Sequence, residues 1–162
     1  MSLLVRKINI AKWHQVDLSS TNDVSADAIT NCMKTTKNTL SVWQIQSEQD
    51  LDKAVLALVA NQDHLDKIDV VILEESTLLN YNLNILATPG DTPIPSLANT
   101  HRDIADLNYS KIGDGKNHIV DKIRAKSHKR YTVGNLKKLL KDAIEMGVLE
   151  KEDLKVSVKS KI

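Results

Sequence analysis

Phenylalanine is absent from this chain of 162 residues, and aromatic residues of all kinds make up only 3% of it. A core must therefore be assembled from Leu, Ile, Val and Ala, with Trp13 and Trp43 as the two large exceptions. Each tryptophan buries a large area and requires a partner for its indole N–H. The same scarcity argues against a stacking platform for single-stranded nucleic acid, which needs successive aromatic faces. Cys32 is the one cysteine, so no internal disulfide can form. A lone thiol fits a reducing compartment. No stretch approaches the roughly 18 consecutive apolar residues of a membrane span. The opening MSLLVRKINIAKW lacks the basic region and apolar core of a signal peptide. We expect a cytoplasmic protein without membrane contact.

Glycine is equally scarce. Gly90, Gly113, Gly115, Gly134 and Gly147 are the full set, and none lies in a phosphate-cradling loop of the P-loop or dinucleotide type. No zinc knuckle, G-x-S-x-G elbow or H-E-x-x-H is present. These gaps speak against nucleotide hydrolysis, cofactor-dependent redox chemistry and a zinc site, and we expect neither cofactor nor metal. The three prolines, Pro89, Pro93 and Pro95, fall together in ATPGDTPIPS (87–96), where we expect an irregular surface loop.

What is present fits an ordinary globular chain: 41% hydrophobic and 27% charged, with a net charge of +1. That small net charge hides an asymmetry. Residues 1–110 hold 8 Lys/Arg against 14 Asp/Glu, and residues 111–162 hold 14 against 7. The two parts carry −6 and +7 respectively. Such a division marks a polyanion surface, two parts of one molecule that attract each other, or contact between copies.

Periodicity supplies the elements. Residues 3–13 and TLSVWQI (39–45) read as strands, and SADAITNCMK (25–34) as a short helix capped by Ser25. Residues 14–24 read as a loop. SEQD (47–50) resembles a capping box and leads into LDKAVLALVANQ, where Leu51, Ala54, Val55, Leu58 and Val59 recur at helical spacing. IDVVIL (68–73) is a continuous apolar run suited to a buried strand. Strand, helix and strand in succession suggest a βαβ unit. NLNILAT (82–88) adds a strand. THRDIADL (100–107) opens a helix with Thr100 as its cap, and IGDGKN (112–117) is a turn or hinge. HIVDKIRAK (118–126) and TVGNLKKLLKDAIEMG (132–147) form a helix pair linked by SHKR. Thr132 caps the second helix and Gly147 ends it. DLKVSVKSKI (153–162) alternates and reads as a terminal strand. The fold class is α/β: a mixed sheet around a central βαβ unit, closed by the C-terminal helix pair and terminal strand. We treat residues 1–162 as a single domain with a basic subregion at 112–162.

Three readings of function follow. The missing catalytic motifs and opposed charges favour a non-enzymatic interaction protein, an accessory member of a cytoplasmic complex with an unidentified partner or a second copy of itself. The second is nucleic-acid binding through phosphate contacts in the stretch RAKSHKRYTVGNLKK (124–138), which contains no acidic residue. Its candidate anion-binding residues are Arg124, Lys126, Lys129, Arg130, Thr132 and Gly134, because a helix start already carries partial positive charge and free N–H groups. The third is a small hydrolase or transferase. His101 and Asp103 follow the proline loop, and Glu74 and Glu75 stand at the carboxyl end of an apolar strand, where ligand sites gather in α/β sheets. No two of His14, His64, His101, His118 and His128 have the four-residue spacing that puts both imidazoles on one helix face.

Overall fold

The computed structural model describes residues 2–14, 18 and 24–162. Six strands form one sheet in the order β4-β5-β2-β1-β3-β6: β1 (Leu3–Ile8), β2 (Leu40–Ile45), β3 (Ile68–Glu74), β4 (Asn84–Ala87), β5 (His101–Ala105) and β6 (Lys129–Tyr131). Seven helices accompany them among the described residues: α1 (Ala26–Cys32), α2 (Leu51–Ala60), α3 (Glu75–Asn80), α4 (Pro95–Ala98), α5 (Ile112–Arg124), α6 (Val133–Glu145) and α7 (Val156–Lys159). The α/β class read from the sequence holds.

Every pair of neighbouring strands is antiparallel. The βαβ unit is present as β2–α2–β3, but β1 is inserted between its strands. Val5 of β1 stands opposite Trp43 of β2 and Ile72 of β3. Two strands antiparallel to the same neighbour are parallel to each other, so the split unit keeps its crossover helix without parallel pairing. β3 runs through the interior with four consecutive buried residues, as its unbroken apolar sequence requires.

Helices cover both faces. On one, α2 and α6 bury Val55, Val59, Leu136 and Leu140 against Val5, Trp43, Ile68 and Val70. On the other, Ala28, Cys32, Ile119 and Ile123 pack on Leu4, Val42, Val71 and Leu73. Each such Leu or Ile, fully withdrawn from water, contributes on the order of 1.5–3 kcal/mol before conformational entropy is counted. Trp13 finds its partner on the second face, where its indole Nε1 donates to Cys32 Sγ at 3.1 Å. Arg6 reaches the same place: Nε and Nη2 donate to the Cys32 carbonyl and Nη1 to the Ser41 carbonyl. Burial lowers the Arg6 pKa from its ordinary value, partly offset by Cys32, while the cation stabilises the C-terminal end of α1.

Several elements differ from the sequence reading. THRDIADL is not a helix start. The Thr100 hydroxyl bonds back to the Leu97 carbonyl, closing α4, and the next five residues pair with β2 and β4 on either side. IGDGKN is no hinge but the first turns of α5. A Cβ on Gly115 would lie 2.9 Å from Leu107 Cδ2, so this glycine lets the helix pack closely. The SHKR link runs into β6 rather than a plain turn. The expected terminal strand is a 3-10 turn at Lys151–Asp153 followed by α7. Leu154, extended after the 3-10 turn, and Val158 of α7 are buried there, and Val156 between them is 81% exposed. A strand would place all three on one face, and the core takes only two of them. Ser47 does not cap α2 directly; its carbonyl accepts from Asp50 N within a 3-10 turn that precedes the helix. The expected loop at 14–24 lies largely outside the described residues.

Candidate functional site

β5 changes the meaning of His101 and Asp103. Alternate residues of a strand share a face, so the two side chains project together toward α2. Thr88, just beyond β4, bridges them: its Oγ1 lies 2.9 Å from His101 Nδ1 and donates to Asp103 Oδ2 at 2.9 Å. Ser41 Oγ donates to the other oxygen of Asp103 at 3.3 Å. Behind the imidazole stands Trp43, ring centroids 5.2 Å apart and planes at 77°, an edge-to-face arrangement. Gly90 closes the stack from the proline loop. His101 is 8% exposed. Thr88, Trp43 and Gly90 were not candidates in the sequence, because their proximity arises from strand register. The one signal available was the His-x-Asp spacing, which places both residues on one face only if the segment is a strand.

Glu74 and Glu75 do not join this group. Glu74 Oε2 lies 3.0 Å from His118 Nε2, and Lys122 Nζ donates to Oε1. Burial alone would raise the Glu74 carboxyl; the Lys122 ammonium, the backbone N–H and then His118 outweigh it and hold the group below its ordinary value. Burial lowers the His118 pKa, with Glu74 opposing and Lys122 adding to the fall. Glu75 turns away to accept from Ser2 Oγ and from Gln44 Nε2. Glu74 lines a cleft with Lys122, Ser127 and Lys129, whereas His101 lines a different one with Lys7 and Trp43.

Within the basic stretch, Arg130 is occupied. Its Nε and Nη2 donate to the two carboxylate oxygens of Asp69 at 2.7 and 3.2 Å, and Asp69 is buried. Hydrogen bonding to Asp69 raises the Arg130 pKa. Thr132 closes the start of α6 on itself. Its Oγ1 accepts from Asn135 N, and Asn135 Oδ1 accepts from Thr132 N and Oγ1, a reciprocal capping box. Gly134 stands exposed in the first turn. Lys126 and Lys129 are exposed and make no ion pair among the described residues. Arg124 Nε and His128 Nδ1 are buried without a hydrogen-bond partner. Tyr131 is tied to the acidic part of the chain: burial, then its hydrogen bond to Asp52 Oδ1 at 2.6 Å, raises the phenol pKa.

Lys122–Glu74 and Arg130–Asp69 are ion pairs that join the acidic part to the basic part, and the His118–Glu74 contact, ionic only when the ring is protonated, crosses the same division. The charge division is thus partly satisfied inside the molecule. No group of three or more potential metal ligands occurs among the described residues, and no helix there is long and apolar enough to cross a membrane.

What the fold and these sites define is an α/β protein with an antiparallel six-stranded sheet, helices on both faces and two distinct polar clusters. No family model, curated protein or solved structure matches the chain, so its function is argued from its own geometry.

Proposed function

We propose that this is a non-enzymatic interaction protein, an accessory component of a cytoplasmic assembly, which works by strand addition at the outer edge of β4. The observation that carries this reading is the difference between the two ends of the sheet. At one end β6 is three residues long and places Lys129 and Arg130 on the rim, the usual protection of an edge. At the other, β4 carries Asn84, Ile85, Leu86 and Ala87 with no charge, and Leu86 is 49% exposed. α3, which leads into β4, leaves Leu79 exposed, as is Tyr81 just after it. An uncharged edge with outward backbone donors and acceptors is a template for another strand.

The occupant we infer is β4 of a second copy. A two-fold axis sets an edge strand antiparallel to its own image, residue i opposite residue j and j opposite i, and β4 brings no charge into such a pair. Sedimentation and native mass measurements on wild type and Leu86→Lys test this. The wild type is expected to associate at concentrations of about 100 µM and the variant to remain monomeric, since like charges across paired strands are destabilising. A wild type that stays monomeric throughout that range would falsify the reading.

A further inference from the structure

The cleft beside His101 has about 300 Å³ of space, the lower end of the range for ligand pockets. It is an open groove whose walls combine apolar and charged groups. Trp43 and Leu58 form an apolar side. Lys7 is its cation, with its Nζ 2.7 Å from the Gln62 amide oxygen, and Asp91 its anion, with Asn61 adding an amide at the end of α2. Val5 stands opposite Trp43, so Lys7, two residues further along β1, projects on the same face of the sheet.

His101 is more than nine-tenths buried, and the tautomer of its neutral ring follows from its partners. Asp103 accepts the hydroxyl proton of Thr88. The Thr88 oxygen is then left to accept, which requires hydrogen on His101 Nδ1. In the neutral ring this leaves the Nε2 lone pair free, and the hydrogen bonds of the imidazole run through Nδ1 alone. The cleft therefore presents the His101 acceptor on a fixed tautomer, one cation, one anion, the Ser41 hydroxyl, the Asn61 and Gln62 amides and an apolar wall.

We propose that it binds a small zwitterion, an amino acid with an apolar side chain. The ammonium lies between Asp91 and His101 Nε2, the carboxylate meets Lys7, and the side chain rests on Trp43 and Leu58. A simple carboxylate gives Asp91 and Nε2 no ligand partner; a simple amine leaves Lys7 with Gln62 alone. The space is too small for a nucleotide-sized ligand to be enclosed. This site is independent of strand addition at β4.

The test uses ¹⁵N-labelled full-length protein and three probes: L-leucine, isovalerate for the carboxylate half and isoamylamine for the ammonium half. The chain has two tryptophans. Trp43 lines the cleft, and Trp13, bonded to Cys32, is an internal control. L-leucine should shift the Trp43 indole and His101 Nε2 resonances saturably and leave Trp13 in place. Each half-probe should bind about tenfold more weakly or worse. Asp91→Asn and Lys7→Met, both at exposed positions, should each weaken L-leucine by about tenfold while retaining the folded indole signals. The proposal is overturned by any of four results: no saturable shift up to about 10 mM, half-probes that bind as well as leucine, variants that leave affinity unchanged, or Trp13 moving together with Trp43.

Discussion

Gly90 has no room for a methyl group. A Cβ built there would lie 2.4 Å from Trp43 Cη2 and 2.7 Å from His101 Cβ, both on side chains held in the interior. Gly90→Ala is therefore expected to destabilise the fold by about 1–3 kcal/mol, the usual cost of overpacking, and to disturb the Trp43 indole resonance. A urea unfolding curve that matches wild type would show that the loop moves away freely. His118 offers a second residue-level outcome. Burial holds its pKa below the ordinary 6.5, so near and below that pH the unfolded chain binds more protons than the folded one. Stability then falls as pH drops from about 6.5 toward the folded value. Glu74, held below 4.5, acts in the same direction at lower pH. Between about pH 7.5 and 5.5, wild type is expected to lose more stability than His118→Gln. Equal losses in urea midpoints would assign the acid sensitivity to other groups.

Elements were legible where local chemistry and burial agreed. Thr132 was read as the cap of α6 and performs that role with Asn135; Gly147 ends the helix with φ of +67°, a backbone conformation that suits glycine. Thr132→Ala is expected to cost about 1 kcal/mol, measurable by thermal or urea unfolding, whereas Thr132→Ser should retain most of the cap. Elements were misread where a partner outside the segment decided the outcome. β5 exists because β2 and β4 supply pairing on both sides, although His101–Ala105 has little strand character alone. α7 turns Val158 into the core and Val156 into water, two residues that a strand would place on one face.

At the scale of the molecule, the division at residues 110–111 runs through a shared core. Leu136, Leu140 and Ala143 of the basic part lie in the same cluster as Val5, Val55 and Val70 of the acidic part. Ion pairs from Glu74 and Asp69 cross the same division. Neither residues 1–111 nor residues 112–162 should fold alone, because each would expose one side of that cluster. Far-UV circular dichroism of the two fragments, separate and mixed, tests this, and the full chain should unfold in one transition. A fragment 112–162 with native-like helicity and its own cooperative melt would establish an autonomous unit.

By itself the sequence determined the composition of the core, the α/β class, the crossover β2–α2–β3, the caps of α1 and α6, and the residue at which the charge balance changes sign. The elements and caps depend on neighbours within a few positions, where side-chain periodicity and capping chemistry act, and the core composition and charge division are sums over the chain. Tertiary structure decided what was brought together across the sheet. Register places Thr88 between His101 and Asp103, sends Glu74 to His118 and Glu75 to Ser2, and commits Arg130 to Asp69. Contacts such as that between Glu74 and His118 join residues more than 40 positions apart, and no local preference encodes which distant strand will lie alongside.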